Sequence, residues 1–323
     1  MPSPAACRVK VTGRRRRDVA RRWTRCFAID SGGFASLGSC ILKPDVNRPS
    51  GVLRKKEEAL KTNRSLALAA LAALLVVTPL MAITYGTQDG SGHPNVGGMV
   101  AEWRTPGQKD LLCSGTLISP TVFLTAAHCT AYLESLGISD VWVTFDSAFT
   151  SKSKLYHGTM HTNPGYNQAQ SDPGDIAVIV LDRPVPGISP AALPSAGLFD
   201  RMRAEGSLRG QKFTAVGYGV LAPNIGGGPP SFPDTNLRWV AVSEFNALND
   251  AWLRLSQNSA TGDGGTCFGD SGGPNFLGAG NAETSIVAAL TVTGDAMCLA
   301  TNVDYRLDTA SARDFLRDFV ILP

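Results

Sequence analysis

From Ile83 to its end the chain is cut into short apolar runs by Gly, Pro, Asn and Asp, with no long helical periodicity between them. Candidate strands fall at 96–101, 111–118, 121–125, 141–145, 176–182, 212–217, 237–243, 285–292 and 302–307, and they are rich in Val, Ile, Leu, Thr and aromatics. Runs of that length do not alternate with helices, so a parallel α/β sheet is a poor reading; the spacing suits an all-β sandwich or barrel. One helix is expected at the end, capped by Asp308 or Thr309, with Phe315, Leu316, Phe319 and Val320 on one stripe. A shorter helical turn is expected over 130–136, and the stretch 222–234 reads as an exposed loop. No internal repeat stands out, although two barrels can be related without one.

The 323 residues are of two unlike kinds. Residues 1–64 hold 16 Lys and Arg against 5 Asp and Glu, whereas the remainder holds 14 against 22. The net charge of +3 therefore averages a basic front and an acidic body, and the acidic body argues against nucleic-acid binding. Residues 65–77, SLALAALAALLVV, are uncharged, follow Lys61 and Arg64, and lead to small residues ending at Ala82. That pattern makes 52–82 a secretory signal peptide, with a retained membrane anchor as the alternative, since the apolar run extended through Ile83 reaches only the bottom of the spanning range. Residues 1–51 have no periodicity and are expected to be a disordered basic segment. Their GRRRR run allows a nucleic-acid or membrane tail. The preferred reading is a start-site artefact, with translation beginning near Val52 or Leu53 at an alternative bacterial start codon.

Three segments carry chemistry: TAAHC at 125–129, DPGDIAVIVLDRP at 172–184 and GDGGTCFGDSGGP at 262–274. Singly, His128 reads as a packed core histidine, Asp175 as a turn cap and 262–274 as a loop. Together they make a nucleophilic hydrolase site. A serine hydroxyl such as that of Ser271 needs a base to take its proton, and His128 has the right range of basicity. Asp175, just before an apolar strand, suits a shielded carboxylate that steadies the imidazolium. The glycines around Ser271 let the backbone bend, and the N–H groups of Gly269 and Ser271 can face a developing oxyanion. Cys113, Cys129, Cys267 and Cys298 lie in the acidic body, an even number that permits two bridges, and the absence of any CxxC pair argues against structural zinc.

With these motifs in this order, the chain resembles the chymotrypsin-like or trypsin-like serine protease family, of the secreted bacterial type, over residues 83–323. The resemblance implies two six-stranded antiparallel β-barrels with a short C-terminal helix, about 83–200 and about 201–323, with the site between them. It implies His128 as base, Asp175 as its orienter, Ser271 as nucleophile, and Gly269 and Ser271 as the oxyanion hole. It further implies the disulfides Cys113–Cys129 and Cys267–Cys298, which need an oxidising compartment. GYG at 217–219 is similar to the segment that opens the family's second barrel.

Three positions depart from the family. Its members commonly begin at a cleaved Ile-Val-Gly-Gly whose ammonium pairs with the aspartate before the nucleophile. Here the match is Ile83-Thr84-Tyr85-Gly86, with Asp270 as partner and Ala82, not Lys or Arg, before the cut. Leader removal could create that terminus, or Asp270 could be paired internally. Where relatives carry Ser-Trp-Gly, this chain has Val292, Thr293 and Gly294, which loses a hydroxyl beside the catalytic aspartate unless a neighbouring threonine replaces it. At the specificity pocket a trypsin-like aspartate is replaced by Gly265, followed by Thr266, and Asn302 or Val303 sets the depth. Asp263 and Asp295 read as loop-exposed. An uncharged P1 side chain (the residue before the scissile bond) is therefore expected. The sequence reads as a secreted, monomeric endopeptidase acting on extracellular proteins or peptides without metal or cofactor, nucleic acid or lasting membrane contact. A weak or inactive homologue that binds protein, or a secreted esterase, is the alternative.

Overall fold

A computed structural model describes residues 82–224 and 229–323. The expectations for residues 1–81 fall outside them. Six strands form the first barrel: β1 (Val96–Thr105), β2 (Gln108–Ser119), β3 (Val122–Thr125), β4 (Val141–Thr144), β5 (Tyr156–Thr162) and β6 (Ala177–Leu181). They run antiparallel in the order β1-β2-β3-β6-β5-β4, and β4 closes back on β1. The second barrel is β7 (Lys212–Gly217), β8 (Trp239–Leu248), β9 (Trp252–Ser256), β10 (Pro274–Leu277), β11 (Val287–Gly294) and β12 (Thr301–Arg306). Its order is β7-β8-β9-β12-β11-β10, closed by β10 on β7 and widened by the two-residue strand Thr87–Gln88 on β8. The two barrels thus repeat one topology without a visible sequence repeat.

The strands β5, β9 and β10 were not among the sequence-based candidates, and their composition explains why. β5 carries His157, Gly158 and His161, β9 carries an exposed Arg254, and β10 is four residues beginning at Pro274. None announces a strand alone; each forms because barrel closure offers it a partner on both sides. Where an apolar strand faces the interior the alternation is legible, as in β8, whose first five residues alternate buried and half-buried.

Among the described residues three α-helices are seven residues or longer: α1 (Ala127–Ser135), α2 (Leu198–Ala204) and α3 (Ala310–Leu316). α1 begins three residues before the expected turn. α3 is capped by Thr309, whose hydroxyl accepts the Ala312 N–H at 3.3 Å. Asp308 is engaged elsewhere, accepting the Phe199 N–H at 2.8 Å and pairing with the buried Arg306 at 2.9 Å. Leu316 is buried, with Phe315, Phe319 and Val320 packed on the core that joins the barrels, where Leu124 and Val178 of the first meet Val216 and Leu290 of the second. The first barrel's own interior is filled by Met99, Leu117, Phe123, Val143 and Ile179. Among the described residues no helix is long and apolar enough to cross a membrane.

Candidate active site

His128 lies in the first turn of α1, three residues after β3 ends. Asp175 sits in the loop that enters β6, and its carboxylate is 2 % exposed. It accepts two hydrogen bonds from the histidine, one from the backbone N–H and one from Nδ1, each 2.9 Å. A carboxylate only accepts here, so Nδ1 carries the proton and Nε2 keeps a lone pair. The loop before Asp175 is held from two sides. Asn163 donates to Gly174 O at 3.0 Å, and from the second barrel Tyr305 donates to Asp172 at 2.8 Å and Trp252 to Ser171 O at 3.1 Å.

The loop of Ser271 meets this pair through its backbone. Gly272 has φ +78°, and a Cβ there would collide with the Thr125 hydroxyl and stand 2.6 Å from the Ala126 N, two residues before His128. Only glycine allows so close an approach. Ser114 of β2 fastens the same loop: its N–H donates to Ser271 O and its hydroxyl to Gly269 O, both 2.9 Å, while accepting the Tyr218 N–H. Sequence reading missed Ser114, because a serine inside a strand carries no motif. The N–H groups of Gly269 and Ser271 make no hydrogen bond to any described residue. Both expected disulfides form, Cys113–Cys129 and Cys267–Cys298. The two sulfurs next to His128 are thus bonded to each other and are not free to ligate a metal.

A cavity of about 120 Å³ opens beside Ser271, with Thr266, Val292, Thr293 and Gly294 in its lining. Gly265 and Asn302 stand behind that lining. Asn302 is fully buried and accepts the Thr266 hydroxyl at 2.6 Å, whereas Val303 is half-buried, so of the two candidates Asn302 is the inward one. The room left by Gly265 is occupied by Gln257, whose Cγ would lie 2.5 Å from a Cβ at 265. Gln257 belongs to no motif, and only the barrel's closure brings it there. The expectation of two exposed acids is corrected. Asp263 is buried, accepting the Thr261 hydroxyl at 2.8 Å, because the loop folds in on itself. Asp295 is half-buried in the cavity lining. Burial opposes its charge, but the N–H groups of Thr301, Leu299, Ala300 and Met297 outweigh that and hold its pKa below the ordinary value.

No described hydroxyl donates to Asp175 in place of the one Val292 lacks. Thr291 is turned the other way, accepting from Asn275 at 3.1 Å in a buried cluster with Asp304. Asp270 is fully buried between Gly217 and Gly219, where side chains on the glycines would strike its carboxylate. Burial raises its pKa to about 7, against the N–H bonds from Cys267 (2.9 Å) and Gly219 (2.8 Å) that favour its charge. Ile83 is buried against Leu221, Trp239 and Ala241, and the next carbonyl, Thr84 O, accepts the Gly265 N–H at 3.0 Å.

Comparison with known proteins agrees with this architecture. The family model described as Trypsin matches residues 91–309. Brachyurin of Leptuca pugilator is 34% identical over 61% of this chain and 84% of its own length. Glucanase inhibitor protein 3 of Phytophthora sojae (strain P6497) is 30% identical over 53% and 64%, and a trypsin of Phaedon cochleariae 32% identical over 51% and 64%. Since the family match spans both barrels and both halves of the site, the chain belongs to the trypsin family.

Proposed function

We propose that this chain is a secreted serine endopeptidase in which Ser271 attacks a peptide carbonyl, forming an acyl-enzyme that water then hydrolyses. The observation that carries this reading is the doubly bonded His128–Asp175 pair held against the Ser271 loop. In the reaction His128 Nε2 takes the Ser271 proton and returns it to the leaving amine, Asp175 keeps the ring's tautomer and steadies its positive charge, and the Gly269 and Ser271 N–H groups receive the oxyanion. Position 265 carries no carboxylate, and Asp295, the acid of the lining, already accepts the N–H groups of Met297, Leu299, Ala300 and Thr301, so an uncharged P1 residue suits the cavity.

Secretion is supported by the apolar leader before Ala82 and by the two disulfides. Cleavage after Ala82 would start the mature chain at Ile83. That residue's φ of +44° is unfavourable for a β-branched side chain while the bond to Ala82 holds it, and Asp270 has no cationic partner among the described residues. Both features support a new terminus there. N-terminal sequencing of secreted protein is expected to begin at Ile83; retention of residues 1–51 would overturn the leader reading.

The test of activity is a fluorophosphonate probe with a peptide library. Labelling at Ser271, lost in Ser271→Ala, together with peptide cleavage is expected. A second reading, a homologue that binds protein without turnover, is favoured by the missing hydroxyl at Val292 and by the name of the glucanase inhibitor relative. A folded, unlabelled protein would establish it instead. Parallel peptide and ester kinetics separate an endopeptidase from an esterase, since only the former cleaves the amide efficiently.

A further inference from the structure

Five polar side chains beside the Ser271 cavity form one buried chain of hydrogen bonds. Thr266 donates to Asn302 Oδ1 at 2.6 Å, and Asn302 Nδ2 donates to Asn275 Oδ1 at 3.4 Å. Asn275 Nδ2 donates in turn to Thr291 Oγ1 at 3.1 Å and to Asp304 Oδ1 at 2.8 Å. Thr266 and Thr291 line the cavity, while Asn302, Asn275 and Asp304 are fully buried behind them. The chain therefore joins the Ser271 loop to β10, β11 and β12. Thr291 carries it further through its backbone: its N–H donates to Gly273 O at 2.9 Å, and its carbonyl accepts the Gly272 N–H at 2.7 Å.

Asp304 is the one ionisable member. Its Oδ2 is buried with no hydrogen-bond partner among the described residues. Its cross-strand neighbours are Leu253 of β9 and Thr291 of β11, and Arg306, two residues along β12, is committed to Asp308 and Asp200. An ionised carboxylate here would have neither a counter-charge nor a donor for its second oxygen, which is costly; a neutral carboxyl avoids that cost and still accepts from Asn275. Burial accordingly holds its pKa well above the ordinary value. Resting on the protease reading above, we infer that Asp304 is a positioning residue: uncharged, it braces Thr266 and Thr291 across the cavity and so sets how tightly the P1 side chain is bound.

The test measures kcat and KM separately on purified mature enzyme, for peptides with the best-cleaved bulky uncharged P1 residue and for peptides with P1 Ala, which fills little of the cavity. Asp304→Leu keeps similar volume but accepts no hydrogen bond. It is expected to raise KM for the bulky P1 residue at least about tenfold and for Ala less than about threefold, with kcat within about threefold of wild type. Asp304→Asn returns an uncharged hydrogen-bonding group of the same shape and is expected to recover the bulky-P1 KM to within about threefold of wild type. An unchanged KM in Asp304→Leu, a rise shared equally by both peptides, or a fall in kcat alone overturns the inference. An asparagine variant as impaired as the leucine one overturns it too, because the charge would then be the working form. If thermal melting shows that Asp304→Leu is unfolded, Asn275→Ala, which cuts the same chain, takes its place with the same expectations. A wild type that cleaves no peptide and takes no fluorophosphonate at Ser271 overturns the protease reading itself, whereas an enzyme that labels and cleaves without these effects overturns only the assignment of Asp304.

Discussion

The two barrels share a strand order and differ in what they bury. The first is filled with Met99, Leu117, Phe123 and Val143, and among the described residues its one fully buried aspartate, Asp175, is matched by two donors from His128. The second buries Asp263, Asp270, Asp304 and Asp308, with Asn275, Asn302, Thr266 and Gln257. Of its aspartates only Asp308 meets a buried arginine, and the pKa of Asp304 is raised well above the ordinary value by burial, against hydrogen bonds from Asn275, Thr291 and Asn302. One topology therefore serves two ends. An apolar, tightly packed interior holds His128 and Asp175 at fixed angles. A polar interior costs stability but supplies a shaped cavity with hydrogen-bonding walls and holds a buried carboxyl, Asp270, with no cationic partner among the described residues.

The largest test of this division is Ser271→Ala. Removing the hydroxyl from the second barrel is expected to lower kcat for peptides by at least about 10⁴-fold while melting temperature and secondary structure stay near the parent's. Near-parental turnover by the purified variant would break the assignment.

Next comes the pH dependence of Asp270. Its pKa rises from 3.8 in the unfolded chain to about 7 in the fold. The folded state then holds a proton that the unfolded state releases, so stability is full below about pH 4 and is lost as pH rises through about 7. The loss is of order 4 kcal/mol over that window. Denaturant titrations from pH 4 to 8 should show it in protein that keeps the Ala82–Ile83 bond. Asp270→Asn should flatten it, and protein beginning at Ile83 should show less of it, because an ammonium beside Asp270 stabilises the carboxylate. Equal slopes in all three would remove Asp270 as the cause.

Opening either disulfide is expected to cost about 3 kcal/mol, since the loops they close are of moderate length. Their kinetic effects should diverge. Cys267 and Cys298 both line the cavity, so the double serine variant there should raise KM, whereas Cys113→Ser with Cys129→Ser, beside His128, should lower kcat. Identical kinetic profiles would erase the contrast between the barrels. The smallest effect concerns P1 charge. Arg and Lys substrates should fall at least about tenfold below the best uncharged residue in kcat/KM, because a cation would lose its water while Asp295, the acid of the lining, is already engaged by backbone N–H groups. A tenfold preference for Arg would instead implicate Asp263 or Asp295.

How much was legible depends on the range of the interaction. The segments around His128, Asp175 and Ser271 could be read as a set because each role demands a residue type and a local backbone, and Gly272 shows why: its positive φ and its contact with the strand leading to His128 exclude other residues. The paired cysteines, most strands and the capped end helix were legible for the same reason, their signals being periodic or local. Ser114, Gln257 and the burial of Asp263 were not. Nothing around them in sequence distinguishes a serine or glutamine in or beside a strand from a solvent-facing one; their meaning arises when β2 is laid against the Ser271 loop and β9 is closed between β8 and β12. The choice between Asn302 and Val303 was of the same kind, since a one-residue change of register turns every side chain of a strand to its other face. Sequence alone determined which groups could do chemistry and the class of fold that presents them. Tertiary structure decided which buried polar atoms were left without partners, because hydrogen-bond satisfaction is settled between segments far apart in the chain.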